Sequence, residues 1–264
     1  MRRPVLLLLL AAASCGFTDG VRAETAASPA CVGRPGTART LAVAPAGLRV
    51  GTKHFADTLP LADHELVLTF DDGPLPATTP LVLKALAEAC VHATFFVVGR
   101  NAADHPALVR RILAEGHTLA HHSMTHPMTL ADLPFEAAVA EIEKGFAADD
   151  TAAYGSAAGA PRVPFFRFPG FGSSPRLLDY LAHRGVAVFD ADLWGSDWEP
   201  MTPEVQFKLM LERIEKARRG IVLLHDIKMQ TARMLPELLR ALDERGYRIV
   251  HLVPPADVAL SPAR

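Results

Sequence analysis

Two spacings of apolar residues take turns along most of this chain. Short apolar runs at residues 65–70, 93–98, 117–120, 165–168, 186–189, 221–224 and 247–253 are rich in Val, Ile, Leu and Phe, as strands are. Between most of them, and once within the long gap between 120 and 165, apolar residues recur every three to four positions, at 79–89, 105–115, 134–148, 175–184, 203–219 and 231–245. Gly116, Gly185 and Gly246 close three of these helices, and Pro203 opens another where a missing N–H costs nothing. Residues 149–164, with several Ala, Gly and Pro, read as a loop. Strand and helix alternating about seven times predict βαβ units with parallel strands. The fold class is α/β, either a barrel or a doubly wound sheet. In a barrel the chemistry collects just after the C-terminal end of each strand, which says where to look.

The segment before residue 63 has a different texture. Arg2 and Arg3 precede an apolar run from Val5 to Phe17, followed by Asp19-Gly20 and the small-residue site Val21-Arg22-Ala23. This order predicts a secretory signal over residues 1–23, cleaved after Ala23, and an exported protein, periplasmic or secreted. A rival is a lipoprotein anchored at Cys15, although Ala12-Ala13-Ser14 lacks a large aliphatic residue at its first position. Residues 24–62 carry Pro29, Gly33, Pro35, Gly36, Pro45 and Gly47 and read as an irregular N-terminal arm with one short strand near 41–43. A single domain then runs over 63–255, with a tail at 256–264. After cleavage two cysteines remain, Cys31 and Cys90, and in an oxidising compartment they predict a disulfide. No run of about 18 apolar residues is present, so no transmembrane anchor is expected in the mature chain.

Composition narrows the partners. Half of the 264 residues are hydrophobic, which excludes a disordered chain. The 27 Lys+Arg against 29 Asp+Glu give a net charge of −2, which removes the electrostatic case for nucleic acid or an anionic membrane.

The strand ends then supply the chemistry. The first apolar run stops at Asp71-Asp72-Gly73-Pro74, two adjacent carboxylates that repel unless a cation or a proton reconciles them. After the third run come His121-His122-Ser123-Met124-Thr125-His126. His122 and His126, four apart, can aim two imidazoles at one metal, and with one carboxylate they would leave positions open for water and substrate. His117 and His121 share that spacing, but His117 begins its strand rather than following it. Arg167-Phe168-Pro169-Gly170 closes the fourth run, where an arginine can fix a carboxylate. Asp190, Asp192, Asp197 and Trp198 follow the fifth. His225 and Asp226 end the sixth, where a histidine is well placed as a general acid.

In this order the strand ends resemble the five motifs of the polysaccharide deacetylase family, carbohydrate esterase family four, also called the nodulation-protein deacetylase homology domain. Thr69-Phe70-Asp71-Asp72-Gly73 is similar to the first motif, and His122-Ser123-Met124-Thr125-His126 to the second. Arg167-Phe168-Pro169-Gly170 is similar to the third, Asp197-Trp198 to the fourth and Leu223-Leu224-His225 to the fifth. The resemblance spans about residues 65–253 and implies a distorted (β/α) barrel with about seven parallel strands. It also implies roles. Asp71 would be the general base, oriented by Arg167. Asp72, His122 and His126 would hold one divalent metal, usually zinc, sometimes cobalt or nickel. His225 would be the general acid, tuned by Asp197, and Pro169, Gly170 and Trp198 would line the substrate groove.

Three departures stand out. Gly170 sits where many relatives carry a side chain such as Tyr, which removes a groove wall. The spacing from Asp192 to Asp197 is two residues longer than expected, so either aspartate could fill the fourth-motif role. His121 replaces a common asparagine, as a partner of the metal ligands or as a mere neighbour. The resulting expectation is metal-dependent removal of N-acetyl groups from amino sugars of a glycan (peptidoglycan, chitooligosaccharide or exopolysaccharide), releasing acetate. An enzyme of the same fold and metal acting on a small-molecule amide or an O-acetyl ester is the alternative. A non-catalytic glycan-binding module is a third reading, which would not need Asp71 and His225 together.

Overall fold

A computed structural model describes residues 31, 34–157 and 159–256. The expected signal at 1–23, Cys15, the start of the arm and all but the first residue of the tail lie outside the described residues. Ten strands occur among the described residues: β1 (Thr37–Ala42), β2 (Arg49–Val50), β3 (Glu65–Asp71), β4 (Thr94–Val97), β5 (Thr118–His121), β6 (Phe165–Phe166), β7 (Ala187–Phe189), β8 (Leu193–Trp194), β9 (Gly220–His225) and β10 (Arg248–Val253). Seven helices accompany them: α1 (Thr79–Ala89), α2 (Gly99–Asp104), α3 (Pro106–Ala114), α4 (Phe135–Tyr154), α5 (Pro175–His183), α6 (Pro203–Ala217) and α7 (Met229–Glu244).

All strand pairings are parallel, as the βαβ pattern requires. The order is β1-β10-β3-β4-β5-β6-β7-β2, with β9 also on β3 and β8 on β9. The sheet curls: Phe96 of β4 and Phe189 of β7, with two strands between them, bring their rings to 5.9 Å. The ladder does not close into a full ring, since β2 and β8 do not pair. The seven strands read from the sequence are all present, and the expected count of about seven rises to ten with β1, β2 and β8.

Period-two alternation sorts the strand residues into two faces. On β3, Leu66, Leu68 and Phe70 pack with α1 and α7 residues such as Leu83, Leu86, Leu235 and Leu238, while Val67 packs with Phe96, Phe165, Phe189 and Ile221 inside the curl. Phe70, Phe95, Phe96, Phe165, Phe166 and Phe189 are wholly buried. Each such ring contributes about 1.5–3 kcal/mol by leaving water. Thr202 Oγ1 accepts the Val205 N–H at the start of α6, and Ser174 Oγ accepts the Leu177 N–H at the start of α5.

Three readings of the sequence need correction. Residues 34–62 hold more order than expected: the short strand expected near 41–43 is β1, longer and paired with β10, and β2 pairs with β7. β1 alternates half-buried and exposed positions, so it lacks the continuous apolar run of the central strands. The stretch 149–164 is not all loop, because α4 continues to Tyr154, burying Asp149, Asp150, Ala152 and Ala153. The short helix α2 was also missed, being too short to establish a period. Cys31 and Cys90 are both disulfide-bonded.

Candidate active site

The same alternation decides which strand-end side chains meet. Asp71 continues the inward column Val67-Thr69, His122 follows Ala120, Arg167 follows Phe165, and His225 follows Ile221 and Leu223. All four therefore converge at the C-terminal mouth of the curled sheet. His121 has the opposite parity. It packs edge-on against Phe146 and its Nδ1 lies 2.7 Å from Asp149 Oδ2, on the outer face beneath α4. Of the two readings of His121, partner of the metal ligands or mere neighbour, the contacts favour the second: it forms a buried pair with Asp149 on the other side of β5.

Arg167 is fully buried. Its Nη1 donates to Asp71 Oδ1 at 2.7 Å and to Thr69 Oγ1 at 2.8 Å. Nη2 donates to Asp190 O and Nε to Phe189 O, and the guanidinium lies 4.1 Å from the Phe96 ring centre. Asp71 thus has one oxygen committed to Arg167, while the other lies 3.7 Å from His122 Nε2. Burial pushes the Asp71 carboxyl above its ordinary pKa, and the Arg167 charge opposes this.

Asp72 adopts a left-handed φ of +75°, with its N–H on Phe96 O and its carbonyl accepting from Asn101 Nδ2. Its Oδ1 lies 3.1 Å from His126 Nε2 and 3.5 Å from His122 Nε2. That oxygen is buried with no hydrogen-bond donor. His122 Nδ1 donates to Arg167 O at 2.7 Å, which leaves the Nε2 lone pair facing Asp72. Burial lowers the His122 pKa to about 3, against the Asp72 charge, so the imidazole is neutral, as a ligand must be. The donor atoms of Asp72, His122 and His126 all lie within 4.8 Å of one another. Two imidazoles and one carboxylate around a common point, with an orphaned buried oxygen among them, fit a divalent ion of the zinc type. The loop carrying both histidines is held by α2 and α4: Gly99 N–H donates to Ser123 O, Arg100 N–H to Met124 O, and Met124 N–H to Glu141 O.

His225 is fixed by Asp197 through two bonds, Nδ1 to Oδ1 at 2.6 Å and backbone N–H to Oδ2 at 2.8 Å. Thr231 Oγ1 also donates to Asp197 Oδ2. Its Nε2 faces the cluster, 3.8 Å from Asp72 Oδ2. Burial alone would lower the His225 pKa, but the Asp197 hydrogen bond and charge, with Asp72 and Asp71 behind, raise it to about 9. Trp198, 44 % exposed, stands edge-on to the His225 ring at 6.0 Å.

Of Asp192 and Asp197, it is Asp197 that contacts His225. Asp192 accepts instead from Thr52 N–H and Oγ1, from Thr58 Oγ1 and from the Ile221 N–H, so it binds the arm to β9. Gly170 has a φ of +57°, and the space its Cβ would enter is filled by the Met128 methyl group. Met128, from the loop after His126, stands where the missing wall was expected. Pro169 and Gly170 form a tight turn in which Phe171 N–H donates to Phe168 O and Gly172 N–H to Pro169 O. Sequence reasoning gave no role to Asp226. It is fully buried, takes the Thr79 hydroxyl, and burial lifts its pKa to about 7 against that bond.

Comparison with known proteins places this geometry in context. The profile of the family described as polysaccharide deacetylase matches residues 59–189. A chitooligosaccharide deacetylase of Sinorhizobium fredii is 34% identical over 197 residues, covering 69% of this chain and 87% of the relative. A peptidoglycan-N-acetylmuramic acid deacetylase of Bacillus subtilis is 31% identical over 185 residues, 70% of this chain but 37% of that protein. Among solved structures, a peptidoglycan deacetylase of Bdellovibrio bacteriovorus superposes with a TM-score of 0.74 at 31% identity, over 86% of this chain and 62% of that one.

Proposed function

The chain belongs to the polysaccharide deacetylase family, and on that premise we propose that it is a metal-dependent N-deacetylase that releases acetate from the amino sugars of a glycan. The observation that carries this reading is a carboxylate and an imidazole, at paired positions of β3 and β9, both held against one ligand set. Asp71, tied to Arg167, and His225, tied to Asp197, both face Asp72, His122 and His126. A binding module would need neither.

A divalent ion held by Asp72, His122 and His126 would lower the pKa of a water and polarise the acetyl carbonyl. The chain's own groups account for the rest. Asp71, held in one orientation by Arg167, accepts the proton of the attacking water through the oxygen not bound to Arg167. The Gly170 N–H, outside the two hydrogen bonds that close its turn, supplies a donor for the oxyanion. His225, with Nδ1–H spent on Asp197, gives the proton on Nε2 to the departing sugar nitrogen. Trp198 offers an exposed indole against which a sugar face can stack. Export of the protein, with a signal over residues 1–23, belongs to the same proposal and is supported by the disulfide-bonded Cys31 and Cys90. No described helix is long and apolar enough to cross a membrane.

The test is acetate release from chitooligosaccharides and from peptidoglycan, with and without a chelator. Release that stops on chelation, returns with zinc and falls about 10²-fold or more in kcat for Asp71→Asn and for His225→Ala supports the proposal. No acetate from either glycan in the zinc-supplied wild type would refute it.

A further inference from the structure

The arm before the barrel places a lysine at the mouth of the site. Gly51, at φ +112°, lies so close to the end of β7 that a Cβ would fall 2.5 Å from the Asp190 carbonyl carbon. From there the backbone follows the strand end. Lys53 N–H donates to Ala191 O, Thr52 and Thr58 bind Asp192, and His54 Nδ1 lies 2.8 Å from Asp190 Oδ2. The chain 51–58 is thus fastened at several points without the help of the Lys53 side chain.

That side chain ends among aromatic rings. Nζ lies 4.3 Å from the centre of Phe171, 4.5 Å from Trp194 and 6.0 Å from Trp198. Phe171 follows Gly170 in the third motif, and Trp198 follows Asp197 in the fourth. Lys53 Nζ and the His225 ring therefore each lie 6.0 Å from the centre of the same indole. Lys53 forms no ion pair with a carboxylate among the described residues, and the acid beside it, Asp190, is engaged by His54. The ring faces stabilise the ammonium group without neutralising it, and the nearby Asp190 charge is shared with His54, so Nζ keeps the capacity to take a second anion.

Resting on the deacetylase reading above, we propose that Lys53 is a specificity residue that takes a carboxylate on the sugar next to the one being deacetylated, so that the preferred substrate is an anionic N-acetylated glycan rather than a neutral one. With the reacting sugar's nitrogen at His225 and a sugar face on Trp198, an acidic substituent on the neighbouring unit falls beside Nζ. The lactyl ether of N-acetylmuramic acid and the carboxylate of a uronic acid both have this chemistry. Chitooligosaccharides do not.

The experiment compares kcat/KM for acetate release by the zinc-supplied protein on three tetrasaccharides. One is N-acetylglucosamine only, one alternates it with N-acetylmuramic acid, and one alternates it with glucuronic acid. The wild type is expected to prefer at least one anionic substrate, and the pair of anionic arms identifies which acid. Raising the salt should shrink that preference, through KM rather than kcat. Lys53→Ala should cut the anionic-to-neutral ratio about tenfold, Lys53→Glu should cut it further, and Lys53→Arg should largely keep it. A wild type that favours the neutral tetrasaccharide, or a ratio unmoved by Lys53→Ala, overturns the proposal and leaves Lys53 as a clamp on the arm. No acetate from any of the three overturns the deacetylase reading itself.

Discussion

Replacing Arg167 by Met removes the guanidinium while keeping most of the stem's volume. The wild-type group makes four hydrogen bonds in a fully buried position, to Asp71, Thr69, Phe189 O and Asp190 O. Breaking a buried pair by removing one partner costs about 3–5 kcal/mol, because the other charge is left in the interior. The two carbonyls that lose their donor add about 1 kcal/mol or more. Most domains have about 5–15 kcal/mol in all, so the variant should be severely weakened. Part of the loss should depend on pH. Burial already raises the Asp71 pKa and Arg167 holds it down, so without Arg167 it rises further. A carboxyl whose pKa is raised by folding favours the folded state while it is protonated. That advantage fades as pH climbs, at about 1.4 kcal/mol per unit of extra shift. Urea unfolding of chelator-treated wild type and Arg167→Met at about pH 5 and about pH 7.5 should give the larger difference at the higher pH. A difference under about 1 kcal/mol, or one equal at both pH values, would falsify the view that Asp71 is a buried charge held by Arg167.

Two further outcomes follow from the same geometry. Asp197→Asn removes the charge that keeps His225 protonated, so the alkaline limb of the kcat–pH profile should move down by about one to three units; a limb that stays in place would assign the acid to another group. His126→Ala takes one of three donors from the ligand set, so dialysed protein should lose its zinc by elemental analysis along with its acetate release. Full occupancy at a normal rate would move the metal elsewhere.

Much of the site was legible because an α/β fold writes its chemistry at fixed places. Each of Asp71, His122, Arg167 and His225 ends an apolar run, and the parity of that run fixes its direction. What escaped is nonlocal or short. His121 and Asp149 are 28 residues apart and meet only because β5 turns His121 outward under α4. The Ala, Gly and Pro of 149–164 hid the last turn of α4, where Asp149 and Asp150 are both buried. Met128 fills the space beside Gly170 from a loop more than forty positions earlier, and no motif marks it. Lys53 lies in a stretch without period, and its importance rests on three rings from two distant motifs.

The contacts of Asp192 bear on where this protein can be cut. The family profile begins at residue 59, which invites expression of a fragment starting there. Such a fragment would strip Asp192 of its three donors from Thr52 and Thr58 and leave Ile221 N–H as its remaining partner. It would also take away β1 and β2, the two ends of the strand order. β10 and β7 would then present raw, unpaired backbone to solvent, the kind of edge through which sheets aggregate. A piece that keeps every strand pairing of this sheet therefore begins upstream of Thr37, in front of β1 and well before the stretch that the family profile matches.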